Sequence, residues 1–479
     1  MARINTNIPA LTAQVGLARS TRDLNQTLER LSTGLRINRG ADDPAGLIAS
    51  ESLRAEIGSI GQAIENSERA SNVIATAEGS LAEVANLLVN IKELTVEAAN
   101  SGALSADEIE ANQLQVDSAI DSITRIANAT TFAGLHLLNG NLDYVTSGVA
   151  TSAVGAMDIY SAVLGGQDYL SVKVSGVQSA QRGQLQFRTS QVSQSVTLEI
   201  ASNRGVEVFS FVSGFRTSNM VSAINAVTAA IGVSATFLCA TRPQSGLAFK
   251  SVDYGSDAYV SVRALPSSSG TFTCVDTDGS TVQRDAGRDV TATINGATTV
   301  GSGREITLNT GSLDLRMQLD EQFGAGNTTT FSITGGGAMF QLGPHINTSE
   351  QTSLGIRSVV ASRLGSTEAG FLNEVATGGA YSLVNGNARE ASLIIEEAIK
   401  QVSVLRGRLG SFERNTLDTN MNSLRTTLEN VTASESAIRD ADFAAETAAL
   451  TRSQILVNAG TSVLALANQT PQSVLSLLQ

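Results

Sequence analysis

Apolar residues return along the first forty positions in steps of three and four. Ile4, Ile8, Leu11, Val15 and Ala18 form one stripe, and Leu24, Leu28, Leu31 and Leu35 resume it after a shift. This spacing puts the residues on one face of an α-helix and, when sustained, makes a coiled-coil seam. The helix predicted here ends near Gly40 and is about 50 Å long at 1.5 Å per residue, so it needs a partner to cover its stripe. The segment GADDPAGLIASESL, from Gly40, combines Gly, Asp-Asp-Pro and Gly, which set turns and restrict the residue before Pro; it predicts a linker.

Helical spacing returns at Val84, Leu87, Ile91, Leu94 and Ala98. After a break at 101–105 it resumes at Ile109, Val116, Ile120, Ile123 and Ala127, which predicts two antiparallel helices. Residues 141–345 differ in kind. Gly, Ser, Thr and Val dominate, and alternating runs at 170–174 and 206–211 read as strands, with one helix around 220–231 and turns at 301–303 and 335–337. No boundary within this insert is legible. Beyond 346 the helical pattern reappears at Ile395, Ala398, Val402, Leu405, Leu409 and Phe412, then at Leu417, Met421, Leu424, Leu428 and Val431. The last stretch carries Ala445, Ala448, Ile455, Leu456, Ala459, Val463 and Leu466 before Pro471, and then Val474, Leu475, Leu477 and Leu478.

The predicted fold class is therefore multi-domain α+β. Long terminal helices pair, N-terminal with C-terminal, in a coiled-coil-like bundle, and a β-rich region is inserted between them, because neither end has a complete core alone. The division expected is 1–40 with 434–479, 41–140 with 346–433, and 141–345. Stripes of this kind suit an assembly module. The candidate interface residues are Ile4, Ile8, Leu11, Val15, Leu24, Leu28, Leu31, Leu35, Ile455, Leu456, Val463, Leu466, Leu475 and Leu478, with Ile455, Leu456, Val463 and Leu466 expected on buried faces.

Composition narrows the function. A chain of 479 residues exceeds one ordinary core, and 42% hydrophobic content is enough to fold several. A net charge of -13 argues against a general nucleic-acid binder. Charge is uneven: Arg3, Arg19, Arg22, Arg30, Arg36 and Arg39 crowd the first forty residues, while Asp440, Asp442 and Glu446 sit in the last forty, so the ends are complementary. No apolar run approaches the roughly 18 residues of a membrane span, and the opening MARINTNIPALTAQ lacks the apolar stretch of a secretory signal, so Sec-type export is not expected. Cys239 and Cys274 have neither disulfide-framework nor zinc spacing and are expected to be inert, buried thiols. His136 and His345 are the only histidines, no H-E-x-x-H occurs, and Asp276-Thr277-Asp278-Gly279 lacks the rest of a calcium loop. Nucleotide-binding glycine motifs are absent too. The expectation is a protein without catalytic residues, metal or cofactor.

The ends carry a resemblance. INTNIPALTAQ at 4–14, TLERLSTGLRIN at 27–38 and GADDPAGL at 40–47 resemble the N-terminal region of bacterial flagellins. RGRLGSFERNTLDTN at 406–420, AIRDADFAAETAALTRSQIL at 437–456 and AGTSVLALANQTPQSVLSLL at 459–478 are similar to the flagellin C-terminal region. Two insert segments, 219–237 and 287–310, resemble a repeat of flagellin variable domains. The resemblance implies a structural subunit exported unfolded by the flagellar type III apparatus, polymerising into the extracellular filament for motility. Its terminal segments would line an inner tube, the helices at about 50–130 and 385–430 an outer tube, and the insert would project. The partners it implies are further copies of the chain, an export chaperone, and the hook-filament junction and cap proteins; a junction protein of the same architecture, or a filament subunit whose insert is also an adhesin, is the alternative. It also implies a segment facing an animal innate immune receptor, Toll-like receptor five. That segment here is 88–97: Glu93 and Leu94 keep the pattern, whereas Val89, Asn90 and Glu97 replace its Gln, Arg and Gln, so weak signalling is expected.

Overall fold

A computed structural model of the chain describes residues 6–239, 241–242, 245–266 and 272–476, with side chains of the last helix described to residue 469. The α-helices among them are α1 (Ile8–Thr33), α2 (Pro44–Ala98), α3 (Ala106–Ala129), α4 (Thr217–Asn225), α5 (Thr228–Ile231), α6 (Ala388–Phe412), α7 (Thr419–Arg439) and α8 (Phe443–Ser476). The chain divides into two compact units. One holds residues up to Ala70, Gln341–Ile346 and those from Arg414 onward; the other holds Ser71–Phe340 and Asn347–Glu413.

In the first unit, α1 starts where Asn7 accepts the N–H of Ala10 at 3.1 Å and Pro9 fills a first-turn position that needs no donor. It ends at Gly34, whose φ of 75° suits glycine and whose N–H donates to the Arg30 carbonyl at 2.8 Å. The helix is therefore shorter than the run to Gly40 expected from the apolar spacing. Residues 35–43 form the linker instead. Asp42 accepts the N–H groups of Asn38 and Arg39 at 3.2 and 3.0 Å, and the latter bond leads in holding its carboxyl below the usual range. Asp43 accepts the N–H of Gly46 at 2.9 Å, which caps α2 ahead of Pro44. At 55 residues α2 is about 80 Å long. Its buried Ile60 and Ala63 pack with Leu424, Leu428 and Val431 of α7, and Asn420 donates to the Leu342 carbonyl at 2.8 Å.

In the second unit α2 continues with buried Ile74, Ala77, Leu81, Val84, Leu88, Ile91, Thr95 and Ala98, alternating steps of three and four. The expected stripe through Leu87 and Leu94 is thus displaced: both are half-buried, and Leu88 and Thr95 take their places. Thr95 is tolerated because its hydroxyl donates to the Ile91 carbonyl at 2.7 Å. Ser105 and Glu108 form a capping box at the start of α3, which buries Val116, Ile120, Ile123 and Ala127 as expected. α6 buries Ala391, Ile395, Ala398, Val402, Leu405 and Leu409, and its Glu396 pairs with Lys92 of α2. A π-helical stretch, Glu413–Asp418, follows and carries the apolar series over to Leu417 and Leu424.

The insert contains two β-modules, each with its own core. Val154–Ala162 pairs with Leu313–Leu319, which continues through Glu305–Asn309 to Val300–Ser302. A five-stranded antiparallel sheet runs Ala297–Thr298, Thr291–Ile294, Leu170–Gln178, Thr328–Gly336 and Tyr144–Ser147. Alternate residues of both sheets, among them Val172, Val174, Ile294, Leu315, Met317 and Phe331, fill one core. Residues 185–274 make the other, from Val196–Ala201, Val206–Phe211, Leu247–Ser251 and neighbouring strands covered by α4 and α5. The second module hangs on a neck: Gln181 and Arg288 exchange backbone hydrogen bonds at 2.8 and 2.9 Å, and Gly255 donates to the Gln181 carbonyl at 3.1 Å.

Candidate assembly interface

α1 packs along α8 in the opposite direction. Asn7 donates its amide to the Ala467 carbonyl at 2.8 Å, Arg30 pairs with Glu446 at 3.0 Å, and Leu35 bridges to Asp440. Among the described residues, charge complementarity between the ends thus narrows to one ion pair, since Arg39 pairs locally with Glu29 and Arg36 donates to the Ile438 carbonyl; Arg3 lies outside the described residues.

The covered face of α1 runs through Ala10, Ala13, Leu17, Ser20, Leu24, Thr27 and Leu31, all half-buried or buried. That of α8 runs through Ser453, Val457, Gly460, Leu464 and Ala467. Both alternate steps of three and four, the seam of a coiled coil. Small residues let the helices close up: a Cβ on Gly460 would lie 3.2 Å from Leu17 Cδ1 and 3.7 Å from its Cα.

Each helix has a second apolar stripe that nothing in the described chain covers. On α1 it is Ile8, Leu11, Val15 and Ala18, with Val15 64% exposed. On α8 it is Leu456, Ala459, Val463 and Leu466, with Leu466 63% exposed and Ile455 exposed beside it. The expectation that Ile455, Leu456, Val463 and Leu466 lie on buried faces is therefore corrected for the single chain, because the small-residue face of α8 takes the contact with α1. Leu28 is exposed, whereas Leu24, Leu31 and Leu35 are half-buried. Ile4 and Leu478 lie outside the described residues, as does the side chain of Leu475. The seam residues Ala10, Ala13, Leu17, Ser453, Val457 and Gly460 were not legible as such, although their three-four spacing was present in the sequence.

On α2, Val89 is 45% exposed, Asn90, Glu93 and Glu97 face solvent, and Leu94 is half-buried. These five residues share the helix side away from the buried series.

The two thiols differ. Burial pushes Cys274 up to about 12, so it stays protonated and unreactive. Cys239 is half-exposed and shares a hydrogen bond with the Thr241 hydroxyl at 3.1 Å, a contact that leads in lowering the thiol's pKa. Two inert thiols were expected; the second core buries only one. Ellman's reagent at pH 8 is expected to titrate one thiol in the folded chain and both after denaturation, and rapid titration of both in the folded chain would contradict the burial. No group of three or more metal-ligating side chains occurs among the described residues, and no helix of the described residues is long and apolar enough to cross a membrane.

Residues 4–143 match the family described as the bacterial flagellin N-terminal helical region, and residues 393–478 the one described as the bacterial flagellin C-terminal helical region. Flagellin A of Vibrio cholerae is 29% identical over 488 residues, covering 99% of both chains. The flagellin of Salmonella typhimurium is 27% identical over 521 residues, again covering 99% of both. Among solved structures, flagellar hook associated protein-3 from Legionella pneumophila is 13% identical and aligns over 80% of this chain and 97% of its own, with a TM-score of 0.29.

Proposed function

The chain belongs to the bacterial flagellins and is a structural subunit of the flagellar filament, and from that premise we propose that it polymerises through the uncovered stripes of α1 and α8. The observation that carries this reading is that both helices of the terminal pair expose a second, regularly spaced apolar face after the first has been used. The two stripes differ in sequence, so a contact between one and the other is head-to-tail; such a contact that does not close into a ring generates a helical polymer.

In this reading 1–40 with 434–479 form the inner tube, 41–140 with 346–433 the outer tube, and 141–345 the outward-facing domains. The subunit travels through the flagellar export apparatus and works outside the cell. An export chaperone covers the α8 stripe beforehand, and the junction and cap proteins meet the two ends of the polymer. Seeding purified monomer with filament fragments and following length by electron microscopy tests the central claim. Elongation is expected, and a folded monomer that never elongates the seeds overturns it. A chain lacking 182–287, closed by a short linker at the neck, is expected to elongate the same seeds, because the excised module contributes nothing to either stripe.

The innate receptor is a weak partner in this reading. The exposed Val89, Asn90 and Glu97 offer no guanidinium and one added negative charge where the resemblance calls for Gln, Arg and Gln. The Val89→Gln, Asn90→Arg, Glu97→Gln variant is expected to signal roughly thirtyfold more strongly in reporter cells, the factor for an anchor of about 2 kcal/mol. Equal potency of the two proteins would remove the segment from the account.

A further inference from the structure

A cavity of ≈ 610 Å³ opens in the second unit beside the strand Val154–Ala162. Its walls include Asn139, Asn141, Asp143, Asp158, Arg357 and Arg363, contributed by that strand and by the chain segments leading into and out of the insert. Pockets for apolar ligands of this size are lined mainly by hydrophobic and aromatic side chains. Walls of carboxylate, amide and guanidinium suit instead a molecule covered in hydroxyls.

The charges refine the class. Asp158 and Arg357 close on each other at 2.7 Å and so neutralise one pair. Arg363 is exposed and pairs with no carboxylate among the described residues, while facing both this cavity and a neighbouring one of ≈ 320 Å³. Asp143 is half-buried, and its carboxylate accepts a single hydrogen bond, from its neighbour Tyr144 N–H at 2.9 Å, although two carboxylate oxygens offer about four acceptor sites. Burial leads in pushing its carboxyl above the usual range, as expected of an acid short of donors. The cavity therefore presents an unpaired cation and an unsatisfied acceptor together.

We propose that this cavity is a binding site for an acidic sugar, a hexuronic acid, whose carboxylate pairs with Arg363 and whose hydroxyls donate to Asp143. Asn139 and Asn141 supply amides for the remaining hydroxyls. Neutral hexoses fit the same walls but leave Arg363 unpaired, so they bind more weakly.

Saturation-transfer NMR on the purified full-length chain, with D-glucuronic acid and D-glucose as probes at millimolar concentration, tests this. Glucuronic acid is expected to give the stronger signal. Arg363→Ala is expected to weaken glucuronic acid about tenfold, the weight of one charge-assisted hydrogen bond, and to leave glucose unchanged. Asp143→Asn should weaken both sugars. The exposure of Arg363 keeps its removal harmless to the fold, which circular dichroism checks. No transfer to either sugar, equal signals from the two, or an Arg363→Ala protein that binds glucuronic acid like the unmodified chain overturns the proposal.

Discussion

Replacing Leu466 by Asp is expected to give a folded monomer that no longer polymerises. The side chain is 63% exposed in the single chain, so the substitution takes little from its own fold. In the proposed filament the same position is dry, and a carboxylate buried there without a partner costs roughly 3 kcal/mol per contact or more, which raises the critical concentration at least about a hundredfold. Because every subunit repeats the contact, the effect appears at the polymer and not at the monomer. Ala467 provides the contrast: it is buried against α1, so Ala467→Asp should disrupt the helix pair as well. Sedimentation and circular dichroism separate the cases. An unchanged critical concentration for Leu466→Asp would place that stripe in solvent within the filament.

Removing residues 460–479 is expected to abolish filaments and also to release the first half of α1. Asn7 loses the Ala467 carbonyl, and Leu17 loses the close face at Gly460. The remaining α1–α8 contact is then too short to hold the helix start, since isolated helical segments below about 12–15 residues are marginal in water. Hydrogen exchange is expected to show lost protection from Ile8 to about Ser20, with the α6 core around Val402 unaffected. Retained protection over α1 would mean that α8 is not what holds it, and normal filaments would refute the assembly reading altogether.

Most of the helical architecture was legible because its period is strong. The insert read as β because the runs at 170–174 and 206–211 alternate apolar and polar residues; both are strands, Leu170–Gln178 burying Val172 and Val174 as that period requires and Val206–Phe211 burying only Phe211. The α1–α8 seam was misassigned for a physical reason. Counting by hydrophobicity selects Ile8, Leu11, Val15 and Leu466, yet the face that closes within the chain is made of Ala, Ser, Gly and a few Leu, because small side chains permit the nearer approach. The register of α2 was displaced because Thr95 occupies a buried position and Leu94 sits beside it. The end of α1 was set too late, since Leu35 continues the four-residue step from Leu31 past Gly34, the glycine that ends the helix; the neighbouring Ile37, which does not fit that spacing, is buried within the linker. Nothing in composition marks the boundary between the two β-modules, which share the same alternation and meet at Gln181 and Arg288.

That neck bears on how the sequence can drift. Residues 185–274 have a hydrophobic core of their own, and among the described residues only Tyr254 of that segment packs against the core of the sandwich that carries them, so energetic effects of substitutions away from Tyr254 in one should add to those in the other and not multiply through shared packing. Selection acting on the module beyond the neck can therefore rewrite its surface, and even lower its stability, while leaving intact the tolerance for change in the terminal helices, where each substitution is tested at once by a partner within the chain and by a neighbour in the polymer.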